Sequence, residues 1–336
     1  MHFPFNAEKL SFLHTIETVY CSESMDSIDI PNNQRKNRQK NCKQVSRMNT
    51  LKFCRYFDRS LINSQNSFFT SNRLFEGSKI YRIDRAMSTV DPKDIKHHSN
   101  FKNSWWDENG PLKLLHSFNP LRVQFVRDGL ANAGIKLCNP ALPLEGVKIA
   151  DIGCGGGILT ENLARIGAHV TGLDASAELI NLAKEHIKLD PTILERVNYI
   201  HTSIEEFSPK NERLYDVVVA SEIIEHVENP EIFLKECVRI LKPGGSIFVT
   251  TINKTVTSWL GAIVIAEYIF NWIPRNTHEW NKFIVPHEVQ YMLDKCGCKT
   301  KLIHGIKVNP LTNQWSWSSF TAINYGLHAV KQRETI

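Results

Sequence analysis

Three features that would each point to a particular class of protein are missing from this 336-residue sequence. Its eight cysteines include no C-x-x-C pair, so the spacings typical of zinc sites and thioredoxin-like centres are absent. We therefore expect reduced thiols in an intracellular compartment. No apolar run reaches the roughly 20 residues that a helix needs to cross a bilayer. The sequence therefore predicts no transmembrane anchor.

The third missing feature is a basic excess in the main part of the chain. The formal net charge is +5, but residues 1–100 hold 16 Lys and Arg against 10 Asp and Glu, which leaves 24 against 25 in the rest. Proteins that hold polyanions usually present a basic face. We therefore expect no nucleic-acid partner. An apolar content of 42% allows an ordinary globular core.

Residues 1–95 are predicted to be a disordered leader, because they show no sustained helical or strand period. The first 30 residues hold five acidic side chains, too many for a mitochondrial transit peptide. Residues 48–74 fit one better, with four basic side chains, one acidic side chain and four serines. We therefore predict a transit peptide within the leader, with Met48 as a possible true start. The alternative is an unstructured tail without a targeting role.

Residues 100–330 are predicted to form one catalytic domain. Apolar residues have helical spacing over 123–133, and strands and helices alternate after that. The predicted strands are 147–151, 169–174, 197–201, 215–220 and 246–251, and the predicted helices are 158–165, 177–187 and 230–241. This alternation predicts a doubly wound α/β fold, with a mostly parallel sheet and helices on both faces. Ligand chemistry is then expected at the carboxyl edge of the strands.

A glycine-rich segment, Asp151–Gly157 (DIGCGGG), joins the first predicted strand to the first predicted helix. Glycines such as Gly153 and Gly155 allow a backbone to approach a ligand closely. Asp174 stands 21 residues beyond Gly153, at the end of the second predicted strand, where it can accept hydrogen bonds from both ribose hydroxyls. Position 158 carries isoleucine where the dinucleotide fingerprint requires glycine. The pattern therefore favours a sulfonium nucleoside over a pyrophosphate cofactor.

A second motif, Leu241–Gly245 (LKPGG), predicts a tight turn between a helix and a strand. In a chain that also has the acid and the glycine loop, this turn resembles the class I methyltransferase fold, which is Rossmann-like. The resemblance implies S-adenosylmethionine as the cofactor. It also implies an antiparallel last strand, for which Ser319–Tyr325 is the candidate.

A third motif, Ser221–His226 (SEIIEH), follows the fourth predicted strand. If it opens a helical turn, Glu222, Glu225 and His226 share one face. Two carboxylates and an imidazole are ligands for a divalent metal, and the oxygen donors favour Mg²⁺. The alternative is a site without a metal, in which His226 is the catalytic general base.

Residues 257–273 are strongly apolar, with one acidic side chain, two tryptophans and two aromatic residues of other types. The stretch is too short to span a bilayer, and indole and phenol rings suit a membrane interface. We predict that residues 254–285 form an insert that faces a membrane surface or covers the site as a lid. A buried lid helix over an apolar substrate has the same composition, so both interpretations stay open.

Seven segments of the sequence form a combined pattern. They are WWDENGPL at 105–112, HSFNPLR at 116–122, DIGCGGGILTENLAR at 151–165, GLDAS at 172–176, YDVVVASEIIEHVENP at 215–230, LKPGG at 241–245, and TINKT at 251–255 with SWL and AEYI after it. Together they resemble the ubiquinone biosynthesis O-methyltransferase family over roughly residues 100–330. The resemblance implies methylation of catechol-type hydroxyls on a polyprenyl dihydroxybenzoate and on a demethylubiquinol.

The same resemblance implies a location, partners and residue roles. The enzyme would be peripheral on the matrix side of the mitochondrial inner membrane, as a component of a multi-subunit ubiquinone biosynthesis complex. The family's cofactor positions fall on Arg122, Gly153, Asp174 and Ser221, and its metal positions on Glu222, Glu225 and His226. Arg122 is expected to pair with the cofactor carboxylate. An O-methyltransferase acting on another phenolic or lipid molecule is the alternative, because it would share every cofactor residue.

Overall fold

The structure, a computed structural model, describes residues 89–90, 92–135, 139–255, 282–309 and 312–333. The expected transit peptide, the possible start at Met48 and the apolar stretch 257–273 lie outside these residues. Within the described ranges, no helix is long and apolar enough to cross a membrane.

Helices and strands alternate through the described part of the chain. The helices are α1 (Pro92–Ser99), α2 (Lys113–Asn132), α3 (Ile158–Arg165), α4 (Ala177–His186), α5 (Ile204–Phe207), α6 (Pro230–Ile240) and α7 (Pro286–Lys295). The strands are β1 (Lys148–Ile152), β2 (His169–Asp174), β3 (Val197–His201), β4 (Tyr215–Ser221), β5 (Leu241–Ile252), β6 (Cys298–Asn309), β7 (Gln314–Ser318) and β8 (Asn324–Lys331). The strands predicted at 169–174 and 197–201 and the helix predicted at 158–165 have the observed bounds.

All eight strands form one sheet in the order β3-β2-β1-β4-β5-β8-β6-β7. The first five strands pair in parallel, whereas β8 runs antiparallel between β5 and β6, and β7 pairs antiparallel with β6. This arrangement confirms the predicted class I methyltransferase fold, a mostly parallel doubly wound sheet with an antiparallel last strand. The strand order switches between the parallel neighbours β1 and β4, because β2 and β3 are added on one side of β1 and β4 and β5 on the other. Ligands of such sheets bind at the carboxyl ends of the strands at this switch point.

The last strand begins later than the sequence predicted. The candidate was Ser319–Tyr325, whereas β8 starts at Asn324, and the strands β6 and β7 before it were not predicted. Tyr325 pairs with Thr251 of β5, which places it near the beginning of β8. The alternation of tryptophan and serine in Gln314–Ser318 (QWSWS) was a strand signal that the prediction overlooked.

The LKPGG motif belongs to β5 and is not a separate turn before it. Four of its residues, Lys242–Gly245, bulge out opposite the single residue Asp216 of β4. Gly244 has a φ of +84°, a conformation that glycine adopts without steric penalty. Nζ of Lys242 donates to Oδ1 of Asp216 at 2.6 Å, which holds the bulge against β4.

Helical structure begins earlier than predicted at two places. α1 starts at Pro92, inside the segment assigned to the leader. α2 starts at Lys113 and continues through Pro120, so it includes much more than the predicted 123–133. The apolar residues that α2 buries are Leu114, Phe118, Leu121, Phe125, Val126 and Leu130. This buried stripe has helical spacing from the first turn onward, which explains the earlier start.

A hydrophobic core lies on each face of the sheet. Along β4, Val217 and Val219 pack in the core that contains residues of α2, α3 and α4, whereas Val218 and Ala220 pack in the core that contains residues of α6 and α7. A strand buried on both faces is typical of a parallel sheet covered by helices. The carboxyl ends of β1, β2 and β4 are therefore held by packing on both sides.

Candidate cofactor and active site

The glycine-rich loop leaves the end of β1 and leads into α3. The N–H of Gly153 donates to the carbonyl oxygen of Leu173 at 2.8 Å. The N–H of Gly155 donates to Oδ2 of Asp174 at 2.9 Å. Gly153 and Gly155 have φ values of +74° and +55°, which favour glycine. The loop is therefore tied to the end of β2 through its own backbone.

Asp174 lies at the carboxyl end of β2, where the sequence predicted it. Its Oδ1 accepts the N–H of Ser176 at 2.7 Å, and its Oδ2 accepts the N–H of Gly155. Burial raises the pKa of Asp174 above its ordinary value, and these two N–H donors counteract the rise. The carboxylate is thus fixed in orientation and still has lone pairs for further donors, such as ribose hydroxyls.

The loop glycines face protein side chains. A Cβ atom at Gly156 would lie 2.5 Å from the indole of Trp105, and one at Gly155 would collide with the same ring. A Cβ atom at Gly157 would collide with the hydroxyl of Tyr199. The missing Cβ atoms therefore make room for Trp105 and Tyr199, which is a reason for glycine that the sequence interpretation did not include.

Arg122, from α2, is buried and reaches the end of β4. Its Nη1 donates to Oγ of Ser221 at 3.4 Å, and its Nη2 donates to Oδ1 of Asn119 at 2.9 Å. Its buried Nε has no hydrogen-bond acceptor among the described residues. The structure therefore brings the predicted cofactor residues Arg122 and Ser221 together, and the guanidinium retains a donor for an anionic ligand.

Three charged side chains interact beside the loop. Burial lowers the pKa of Arg122 to about 10, against the opposing attraction of Asp151 and Glu222. Burial also raises the pKa of Asp151 to about 6, although a hydrogen bond from Thr160 and the charge of Arg122 act in the opposite direction. Oδ2 of Asp151 accepts the Thr160 hydroxyl at 2.6 Å. Asp151 therefore connects the end of β1 with α3.

The segment after β4 is not an α-helical turn. Glu222 has a φ of +54°, a left-handed conformation that residues other than glycine rarely adopt. A 3₁₀ turn then covers Ile224–His226. Glu225 is buried, and its Oε2 accepts the Thr251 hydroxyl at 2.7 Å. Backbone strain of the kind seen at Glu222 concentrates at functional sites, so this segment keeps its place in the candidate site.

The metal site predicted at Glu222, Glu225 and His226 is not formed in this arrangement. Across the described residues, no group of three or more His, Cys, Asp or Glu side chains is placed to hold a metal ion. The reason is local, because the left-handed residue and the 3₁₀ turn remove the helical face on which the prediction depended. The Mg²⁺ at these residues stays a prediction, and the reaction steps proposed for the enzyme do not depend on a metal.

His226 packs against a residue that sequence reasoning missed. The ring centroids of His226 and His98, in α1, are 4.9 Å apart, and the ring planes meet at 83°. None of the sequence motifs includes His98, and α1, which carries it, begins inside the segment predicted to be a disordered leader. Trp105 entered the sequence analysis only as part of the WWDENGPL segment, and residue spacing gave no signal of its packing on the glycine loop. The site is therefore partly enclosed by residues that precede the predicted sheet.

The site lies in a part of the chain that matches known proteins. The model of a family described as a methyltransferase domain matches residues 150–249. The mitochondrial ubiquinone biosynthesis O-methyltransferase of Rattus norvegicus is 44% identical over 252 residues, which cover 75% of this chain and 73% of that protein. The Homo sapiens protein of the same name is 43% identical, with coverages of 74% and 67%.

Similar proteins also occur outside animals. The ubiquinone biosynthesis O-methyltransferase of Pelagibacter ubique is 38% identical over 71% of this chain and 97% of that protein. Among solved structures, magnesium protoporphyrin IX methyltransferase from Synechocystis PCC 6803 matches with a TM-score of 0.45 at 17% identity, over 63% of this chain and 83% of that one. The similarity to the Pelagibacter protein thus extends over nearly its whole length.

Proposed function

This chain belongs to the ubiquinone biosynthesis O-methyltransferase family, and from that membership we propose that it methylates a catechol-type hydroxyl of a polyprenylated ring. It is an S-adenosylmethionine-dependent O-methyltransferase. The proposed acceptors are a polyprenyl dihydroxybenzoate and a demethylubiquinol. The observation that carries the proposal is the meeting of Arg122, Ser221 and the glycine loop bonded to Asp174 at one edge of the sheet.

The residues at this edge fit the cofactor's chemical groups. S-adenosylmethionine supplies an electrophilic methyl group on a sulfonium sulfur. Asp174, held by two backbone donors, would accept hydrogen bonds from the ribose hydroxyls. Arg122 would pair with the cofactor carboxylate through the donor that has no acceptor among the described residues. Gly153, Gly155 and Ser221 would complete the cofactor contacts.

His226 is the proposed general base for the acceptor. The phenolic O–H must lose its proton as the oxygen attacks, and an imidazole at neutral pH is suited to accept it. The new bond joins the oxygen to the methyl carbon, the bond from that carbon to sulfur breaks, and its electron pair stays on sulfur. The proton is first on His226 and then passes to solvent. His226 is half-buried, which leaves part of its ring accessible to an acceptor.

The predicted Mg²⁺ has no part in these steps. The three residues predicted to hold it do not share a helical face, because Glu222 is left-handed and a 3₁₀ turn covers Ile224–His226. An assay of methyl transfer with and without Mg²⁺ tests the predicted metal directly.

Location and partners form a separate part of the proposal. The rat and human relatives are named mitochondrial, and residues 48–74 have the composition of a transit peptide. We place the enzyme on the matrix side of the inner membrane as a peripheral protein, with the insert 254–285 toward the membrane or the prenyl tail. We also place it in a multi-subunit biosynthetic complex. Carbonate extraction of mitochondria that contain the tagged full chain tests the peripheral placement, which retention in the membrane pellet would contradict.

Methyl transfer to a short-chain prenyl dihydroxybenzoate tests the reaction. The full chain is treated with a chelator, supplied with labelled S-adenosylmethionine, and assayed with and without Mg²⁺, and mass spectrometry identifies the methyl ether. Asp174→Asn should weaken cofactor binding, while His226→Gln should lower kcat and leave cofactor binding nearly unchanged. Glu178→Gln, at an exposed residue of α4 that pairs with Lys102, is the matched control.

Each outcome of this assay has one interpretation. Metal-independent turnover supports His226 as the base, and turnover restored only by Mg²⁺ supports the predicted metal site at Glu222, Glu225 and His226. Cofactor binding without turnover on the prenyl catechol would overturn the proposed acceptor and favour another phenolic or lipid molecule. Loss of cofactor binding in Glu178→Gln would show that the substitutions act through general damage.

A further inference from the structure

The described residues before position 100 form a strap across the carboxyl edge of the sheet. We use the word strap for residues 89–90 and 92–99, which include α1. At its beginning, the N–H of Glu228 donates to the carbonyl oxygen of Thr89 at 2.8 Å, and Val90 forms an antiparallel bridge with Val227. The buried hydroxyl of Thr89 also donates to Oε1 of Glu205. The strap is therefore anchored directly beyond the 3₁₀ turn that carries His226.

The other end of the strap is anchored beside Asp174. Oγ of Ser99 lies 2.8 Å from Oγ of Ser176, which caps α4. The N–H of Ser176 donates to Asp174, so this contact joins the strap to the proposed ribose site. The strap thus runs from the segment that follows His226, the proposed base for the acceptor, to Asp174, the proposed binding residue for the cofactor ribose.

Between its anchors the strap presents His98. Its ring meets the His226 ring edge-on, with centroids 4.9 Å apart. The charge of His98 also acts on Asp174, where it lowers the carboxyl pKa against the larger effect of burial. His98 therefore lies close both to His226, the proposed base, and to Asp174, which is proposed to bind the ribose.

His226 is on a short 3₁₀ turn that follows a left-handed residue, so the regular bonds of a long helix do not fix its position. Misplacement of a catalytic group by about 1 Å can reduce a rate by about 100-fold. We propose that His98 is a positioning residue that fixes the His226 imidazole by ring packing, so that methyl transfer requires the strap to be in place. This inference rests on the proposed function, because it assigns His226 the role of base.

Kinetics of three variants of the full chain test the positioning role. His98→Ala should lower kcat by about tenfold or more, with the Kd for S-adenosylmethionine changed less than about threefold. His98→Phe keeps an aromatic ring at the contact and should restore most of kcat. Lys96→Ala, at an exposed residue of the same helix, should behave as wild type. Wild-type kcat in His98→Ala overturns the proposal, as does a kcat in His98→Phe as low as in His98→Ala.

A measurement without turnover separates this inference from the proposed function. In the NMR spectrum of protein with ¹³C-labelled histidine, removal of the His98 ring should shift the ring protons of His226, whereas Lys96→Ala should not. If the wild type is inactive on the prenyl catechol but this shift occurs, the acceptor is wrong and the His98 contact stands. Unchanged His226 resonances in His98→Ala overturn the inference whatever the activity.

Discussion

The indole of Trp105 lies so close to Gly156 that a Cβ atom at the glycine would come within 2.5 Å of the ring. Trp105 is buried, so the ring cannot move into solvent without loss of packing. Gly156 is not among the residues with positive φ, so its backbone conformation does not itself require glycine. The middle glycine of the GGG run is therefore required by packing against a residue from far earlier in the chain.

Replacing Gly156 with alanine is expected to lower the free energy of unfolding by about 1–3 kcal/mol, because the ring and the loop must separate. Replacing Trp105 with leucine in the same protein should restore part of that loss, since the added methyl then has space. Urea denaturation of the single and double variants measures both effects. Equal stability of wild type and Gly156→Ala would contradict the packing explanation.

Loss of the guanidinium at Arg122 is expected to weaken cofactor binding. A hydrogen bond between charged groups contributes about 1.5–3 kcal/mol, so Arg122→Ala should raise the Kd for S-adenosylmethionine by roughly 10- to 150-fold. Calorimetric titration gives the Kd. Arg127→Ala removes a partly exposed guanidinium of the same helix, paired with Asp128, and serves as the control. Equal affinities of the two variants would remove Arg122 from the cofactor site.

Asp151 is expected to make the protein less stable as pH rises. Burial raises its pKa to about 6 in the folded state, whereas an unfolded aspartate titrates near about 3.9. The stabilisation from the bound proton is complete below pH about 4 and is lost as pH rises through about 6; a shift of about two units corresponds to about 3 kcal/mol. Asp151→Asn keeps an acceptor for Thr160 and does not titrate.

The unfolding free energy of wild type minus that of Asp151→Asn should therefore fall between pH of about 4.5 and about 7.5. Urea denaturation at both pH values gives this difference. A difference that stays constant or increases with pH would show that the folded-state pKa of Asp151 is not raised.

His328 is expected to act with the opposite sign. Its ring stacks on Phe248 with centroids 4.3 Å apart, and Nε2 lies 3.1 Å from Oγ of Ser246. Burial lowers its pKa to about 4, below the unfolded value of about 6.5. Its contribution is present above pH about 6.5 and lost as pH falls toward about 4. Thermal unfolding of His328→Gln should show a smaller decrease in Tm on acidification than wild type, and an equal decrease would contradict the shift.

Much of the fold was predictable because the parallel strands are short, buried and bounded by helices. Val147–Asp151 and Tyr215–Ala220 are short and mostly buried strand segments, as is typical of a sheet covered on both faces, and the motifs at their carboxyl ends follow from that position. β8 was misplaced because the chain from Ser319 to Ile323 has the same mixed composition as the strand after it. The register is decided by tertiary pairing with β5, in which Tyr325 lies opposite Thr251.

The candidate site was predictable where a residue follows directly from a strand. Asp174 and Ser221 end β2 and β4, so sequence position alone brings them to one edge. His98 and Trp105 reach that edge through tertiary packing of segments without a motif. The shared helical face predicted for Glu222, Glu225 and His226 was wrong because it assumed regular helical geometry after β4, whereas Glu222 is left-handed. Local backbone conformation of that kind cannot be derived from residue types.

Among the described strands, β8 comes last along the chain, yet it lies inside the sheet between β5 and β6. During synthesis from the amino end, β5 and β6 each keep an unpaired edge until residues 324–331 have emerged. Exposed strand edges are templates for association between chains, and pairing across long sequence separations is slow. A chain that stops before Asn324 would therefore retain every residue of the candidate site and still expose two unpaired strand edges. We expect such a chain to lose activity through aggregation and not through loss of a site residue.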